Sequence, residues 1–375
     1  YQGLSSLARN HKELRHYLYP NNLIGGFMAY GKSSTPLASD VVKVGADISK
    51  GSSWQAKEKP VLLVLVIGET ARAENFSLYG YARKTNPDLE KINDLIVLQD
   101  VQSCGTETAV SLPCMLSVLG RADYSLAKAA QQENLLDMVH RAGIQVHWID
   151  NQSGCKNTCV RVETESTASA DDPTLCRGGE CHDEILVKRL QAFLASNRGD
   201  AMVVLHQMGS HGPAYYKRYP DNFAVFAPTC RTSLLDKCTS EEIVNAYDNT
   251  IRYTDHVLAS IIDTLKRHQQ DYATAMIYMS DHGESLGEYG LYLHGAPYVL
   301  APSQQTRVPA LLWLSSDIER QRRIDSRCLA QQRNKPYSHD NLVHSVLGLM
   351  DLHSTVYQIA QDIFAACRAG ENVAS

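Results

Sequence analysis

Three near-continuous aliphatic runs along this chain each end abruptly in polar residues. VLLVLVIGE ends on Glu69, AMVVLHQMGSHGP carries His206 and His211, and ATAMIYMSDHGES delivers Asp281, His282 and Glu284. A run of that kind is the pattern of a parallel strand buried on both faces. Strands are predicted at 61–67, 144–149, 201–206, 274–279 and 308–314. Helical periodicity and boundary residues predict helices at 87–93, 109–119, 132–142, 183–196, 240–268, 338–350 and 355–366, with a cysteine-rich loop at 151–182. Strands alternating with helices imply an α/β fold with a mainly parallel sheet covered on both faces. Residues 1–58 carry no strand signal and read as an N-terminal amphipathic segment and linker ahead of a catalytic domain at 59–370. Within them, Ser6 to Tyr19 interleaves Leu7, Leu14 and Leu18 with basic residues. That pattern suits a helix on a membrane surface or one packed on the domain.

Composition narrows the class. The chain has 375 residues, 44% of them apolar, enough for a full core, and a formal net charge of −5 with no basic stripe, which argues against a nucleic-acid partner. The longest apolar run, Val61 to Ile67, falls well short of the ~20 residues that cross a bilayer. Ten cysteines include four close pairs, Cys104 with Cys114, Cys155 with Cys159, Cys176 with Cys181 and Cys230 with Cys238. Such pairs read as disulfides made in an oxidising compartment such as the periplasm; a zinc knuckle is the weaker reading, since no CxxC occurs. Cys328 and Cys367 are left to pair with each other or stay free. The start has neither a Met nor a signal-peptide pattern. The chain is therefore expected to be the exported portion of a longer, membrane-anchored protein. Nothing signals an obligate dimer, and a monomer is expected.

The strand ends carry the candidate chemistry, because open α/β sheets place function just past the carboxyl ends of their strands. Glu69, Asp281 and His282 would meet there as oxygen and nitrogen donors for a divalent metal such as zinc. In SCGTETAVSLPC, Thr106 and Thr108 open a helix, where the dipole and free N–H groups suit an anionic phosphoryl group. Simple N-capping would explain a threonine there equally well. Pro113 is expected within that helix's first turn. His211 in HGPA and His294 in HGAP share a Gly-flanked context, and Lys156 and His206 join them as polar candidates. The other histidines read as ordinary polar residues.

The segments GETARAENFSLYGYARKTNPDL, SCGTETAVSLPCMLS, HQMGSHGPAYYKRYP, NAYDNTI and SDHGESLGEYGLYLHG resemble the periplasmic catalytic domain of lipid A phosphoethanolamine transferases, intrinsic and mobile colistin-resistance enzymes alike. The resemblance is collinear from about residue 1 to residue 367. It implies an alkaline phosphatase/sulfatase-like α/β/α fold, Zn2+ as cofactor, and a membrane portion outside this chain. It further implies phosphatidylethanolamine as donor, lipid A as acceptor, and a location at the periplasmic face of the inner membrane. By the same resemblance Thr108 is the nucleophile and completes a tetrahedral zinc site with Glu69, Asp281 and His282. His211 and His294 match residues that contact the transferred phosphate or a second metal. Lys156 matches a phosphate-facing lysine, and Asn151, Gln152 and Thr106 fall near the ethanolamine pocket. The rival readings are a phosphodiesterase or sulfatase-like hydrolase of the same fold, a transferase to another envelope glycan, and a catalytically silent lipid- or peptide-binding module.

Overall fold

The computed structural model describes residues 41–369; the amphipathic segment Ser6 to Tyr19 lies outside them. Seven strands form the main sheet: β1 (Val61–Gly68), β2 (Ile96–Leu98), β3 (Gln145–Asp150), β4 (Glu163–Ser166), β5 (Ala201–His206), β6 (Ala273–Ser280) and β7 (Ala310–Leu314). Their order is β2-β7-β6-β1-β5-β3-β4. The pairs β6–β1, β1–β5, β5–β3 and β3–β4 are parallel, and β7 runs antiparallel to both β6 and β2. The expectation of a mainly parallel sheet holds.

Alternation along β1 explains the three layers. Leu63, Leu65 and Ile67 pack on one side with α1 (Thr108–Met115), α2 (Leu135–Arg141) and α5 (Asp340–Leu349). Leu62, Val64 and Val66 pack on the other with α3 (Glu184–Ser196) and α4 (Ser240–Arg267). Every residue of β1 is buried, which accounts for an apolar run with no polar alternation. Leu65→Ala should cost about 2–5 kcal/mol through lost transfer energy and a cavity. Urea unfolding with disulfides intact checks this, and a loss under about 1 kcal/mol would place Leu65 outside the close-packed core.

Several sequence expectations need correction. The helix at 87–93 is one 3₁₀ turn, Leu89–Lys91, capped by the Asp255 carboxylate, which accepts the N–H groups of Asp88 and Leu89 at 2.9 and 3.0 Å. The helix at 355–366 is two 3₁₀ turns, Ile359–Gln361 and Ala365–Cys367. There Ser345 Oγ accepts the Ile363 N–H and the Asp362 carboxylate accepts that of Phe364, bonds that compete with a helical ladder. The helix at 109–119 stops at Met115 and holds Pro113 in its second turn rather than its first. Ala109, four residues earlier, is exposed, so the carbonyl that loses its partner can face water. Residues 41–58 are not a free linker: Ser49–Lys50 pairs with Leu352–His353, and buried Trp54 donates its indole N–H to the Met350 carbonyl at 2.7 Å. All four close cysteine pairs are disulfides, and Cys328 pairs with Cys367.

Candidate metal centre and nucleophile

The register of β6 on β1 pairs Ser280 with Gly68 and so sets Asp281 beside Glu69 as both strands end. His282 follows, and one donor atom from each of Glu69, Asp281 and His282 lies within 4.8 Å of the others. Among the described residues this is the one such group. All three are fully buried. His282 Nε2 is 3.4 Å from Glu69 Oε1 and 3.4 Å from Asp281 Oδ2.

The donor set fits a divalent metal on two grounds. Asp281 Oδ1 accepts the N–H groups of Thr70 (3.1 Å) and His282 (2.7 Å), whereas Oδ2 is buried without a hydrogen-bond partner. A buried carboxylate oxygen left open in this way suits a ligand position. His282 Nδ1 lies 2.8 Å from the Gly283 carbonyl. A carbonyl only accepts, so Nδ1 carries the proton and Nε2 is the coordinating atom, the orientation found at metal-bound histidines.

Thr108 is the first residue of α1, and its hydroxyl donates to Glu69 Oε2 at 2.9 Å, with His282 Nε2 at 3.3 Å. Sequence reasoning placed these four residues together, and the structure does so too. The turn is tight. Gly209, at φ +52°, lies where a Cβ would come within 2.5 Å of the Glu69 carbonyl, and a Cβ on Gly283 would come within 2.0 Å of the Gln304 carbonyl. Only glycine fits at either position.

Charge in the metal-free cluster follows from burial and proximity. Burial opposes charge on His282, yet the Asp281 and Glu69 carboxylates outweigh it and hold the imidazolium up to about 10. Burial, reinforced by the Glu69 carboxylate, pushes Asp281 up to about 6. Burial would raise Glu69 as well, but His282 and His211 hold it well below the ordinary carboxylate range. Between those two limits the metal-free site keeps one proton on His282 that a metal must displace. Metal affinity should therefore rise about tenfold per pH unit, or about 100-fold from about pH 6.5 to 8.5. Below about 6 a second proton, on Asp281, steepens the slope. Competition with a chromophoric chelator measures this, and a flat profile would show that no ligand proton is displaced.

The remaining predicted residues divide. His294 donates from Nδ1 to Glu284 Oε2 at 2.8 Å, which leaves Nε2 free, and its ring centre lies 4.5 Å from that of His282. His211 faces His294 at 6.1 Å between ring centres, and burial lowers its pKa. Gln152 donates to Glu69 Oε2 at 2.8 Å. The Thr106 hydroxyl donates to the Ala296 carbonyl at 2.7 Å and so ties the Thr108 turn to the His294 loop. Lys156 bonds Ser153 and lines a groove of about 400 Å³ beside Ala109 and Pro113 of α1. Asn151 is held within the protein by its side-chain amide. Its amide donates to the Cys181 carbonyl and Asp183 and accepts from Thr167, all within the protein.

Four supporting residues escaped the sequence reading. Asp183 accepts the N–H groups of Met208 (2.7 Å) and Gly209 (2.8 Å), and so holds the turn before His211. Asp150 accepts from His206 at 2.8 Å and from the Gly154 N–H at 2.8 Å, anchoring the loop of Gln152 and Lys156. Tyr215 donates to Glu284, the partner of His294. Fully buried His339, pushed down to about 4 by burial, is neutral. It accepts the Cys104 N–H at 3.0 Å and donates to the Ser280 carbonyl at 2.9 Å, joining the Thr108 turn to β6. Asp150 stands at the end of a predicted strand, a usable signal; the other three carry none.

A family model described as Sulfatase matches residues 62–352. Phosphoethanolamine transferase EptA of Escherichia coli K12 is 44% identical over 369 residues, covering 98% of this chain and 67% of that protein. The chain belongs to the phosphoethanolamine transferase family. Phosphatidylethanolamine transferase Mcr-1 of Escherichia coli is 41% identical over 82% of this chain and 59% of its own length. The integral membrane lipooligosaccharide phosphoethanolamine transferase A of Neisseria meningitidis superposes with a TM-score of 0.88 at 42% identity, over 98% of this chain and 69% of that one. The periplasmic domain of EcEptC from Escherichia coli, solved in complex with Zn, gives 0.71 at 25% identity, over 86% and 90%. Family membership fits the three-layer fold and the Thr108 cluster, and it disfavours a silent binding module.

Proposed function

We propose that this chain transfers phosphoethanolamine from phosphatidylethanolamine to a lipid A phosphate, as a monomer at the periplasmic face of the inner membrane. The observation that carries the reading is a buried threonine hydroxyl 2.9 Å from a carboxylate of a three-donor metal cluster. Zinc suits the donors, with Glu69, Asp281 and His282 holding it, and would supply Lewis acidity that lowers the pKa of a bound hydroxyl. The name of Mcr-1 and the Zn complex of EcEptC support the donor and the metal.

Thr108 Oγ attacks the donor phosphorus, releasing its proton toward Glu69. The Oγ–P bond forms as the bond from phosphorus to the glycerol oxygen breaks, and diacylglycerol leaves as the alcohol. His294, held through Nδ1 by Glu284, gives that oxygen an Nε2 proton when doubly protonated and regains one from solvent. A lipid A phosphate oxygen then attacks the same phosphorus, and Thr108 regains its hydroxyl. His211 and Lys156 offset charge on the phosphoryl oxygens. The product carries an added ammonium, which weakens attraction for cationic peptides such as polymyxins.

The Sulfatase-type match favours one competing outcome, hydrolysis of the intermediate. Intact mass after incubation with phosphatidylethanolamine separates the two. Transfer predicts a Thr108 adduct of about 123 Da that persists until lipid A is added. Steady release of phosphoethanolamine into water without acceptor would favour the hydrolase.

A further inference from the structure

Val299 and Leu300 are 90% and 75% exposed, and Tyr289 is 83% exposed. Val299 and Leu300 follow His294, beyond a short hairpin in which Ser285–Leu286 pairs with Tyr292–Leu293, and Tyr289 stands in the turn of that hairpin. Their exposure does not come from a loose loop. The Gly295 N–H donates to the Thr106 carbonyl at 2.8 Å, the Tyr298 hydroxyl to the Ser103 carbonyl at 2.8 Å, and the Ala296 N–H to Gln305 at 3.1 Å. The Arg121 guanidinium sits 3.8 Å above the Tyr298 ring centre. A rigid turn tied to the nucleophile's own turn thus presents two adjacent aliphatic side chains outward, with an aromatic and a cation nearby.

We infer that Val299 and Leu300 insert into the headgroup–acyl boundary of a phospholipid bilayer and hold the catalytic mouth at the level of the lipid phosphates. The inference rests on the proposed function, in which both substrates are membrane lipids. A site that acts on headgroups must come within reach of them, and Val299 and Leu300 are exposed on the loop that carries His294 and is bonded to the Thr106 turn. Aliphatic side chains below, tyrosine and arginine at the interface, is the composition that suits this boundary. The net charge of −5 gives no general attraction to an anionic surface, so the contact at this rim is assigned to apolar insertion.

Trp54, Trp148 and Trp313 are all buried, so Val299→Trp adds one outward-facing indole. On vesicles of phosphatidylethanolamine and phosphatidylglycerol its emission should shift to the blue, and brominated acyl chains should quench it. Unshifted, unquenched emission would overturn the inference and point to a protein partner for this face. As a second measurement, the double variant Val299→Asp, Leu300→Asp should lose vesicle-embedded donor turnover by about tenfold or more. Adduct formation from a short-chain, monomeric donor should be unchanged. Equal loss on both donors, or full turnover on vesicles, would also overturn it. Failure of every donor to modify Thr108 would sink the proposed function instead, while the indole readout would still decide insertion.

Discussion

Thr108→Ala is expected to lower phosphoethanolamine transfer at least about 10,000-fold, with no loss of stability beyond about 1 kcal/mol. The hydroxyl's bonds are to Glu69 and His282, both in the site, so its removal breaks no structural contact. Alanine is also the better helix former at the start of α1. Glu69 keeps its bonds from Gln152 and Thr70. Intact mass should show no adduct on the variant, and its thermal midpoint should match that of the parent chain. Thr108→Ser keeps the hydroxyl and should keep measurable transfer. Transfer by the alanine variant would remove the covalent intermediate from the mechanism.

Asp281→Asn should reduce bound metal to a small fraction and transfer by more than about 100-fold. Loss of residues that merely touch a ligand already costs about 10–100-fold in affinity, so loss of a ligand costs more. Removing this charge should not unfold the metal-free protein. Burial and the neighbouring Glu69 carboxylate raise the Asp281 pKa in the fold, so its ionised form is unfavourable above that pKa and a neutral amide relieves the strain. The metal-free variant should melt at or above the parent's temperature, whereas added zinc should raise the melting point of the parent only. Metal analysis and paired melting curves check both halves. A variant that binds metal stoichiometrically would exclude Asp281 as a ligand.

The sequence made the strands legible where burial was complete, as in β1, β5 and β6, because nothing but aliphatics survives there. It hid β4, whose residues Glu163–Ser166 are polar, and β2, only three residues long. The candidate metal cluster was legible for a related reason, since a carboxylate or imidazole directly after an apolar run is a natural ligand candidate. Its supports were not. His339 lies far along the chain from Cys104 and Ser280, and its neutrality arises only once α5 is packed. Asp183 reads as a helix-start acid, although its oxygens go to the turn at Met208 and Gly209. Spacing cannot encode a contact whose two halves are far apart in the chain.

That separation also orders events in the life of the chain. Thr70 and Asp281, joined at the centre of the site, stand 211 positions apart, and β1 pairs with β6 across nearly the same interval. Parallel pairings of such span close late, because a long loop must be ordered before the contact repays it. During synthesis Glu69 and Thr108 emerge well before Asp281 and His282, so the emerging chain offers one carboxylate and a hydroxyl, too few donors to retain a metal. A metal held by this cluster would therefore be captured only by the finished domain, and the compartment in which folding ends would decide which ion it meets.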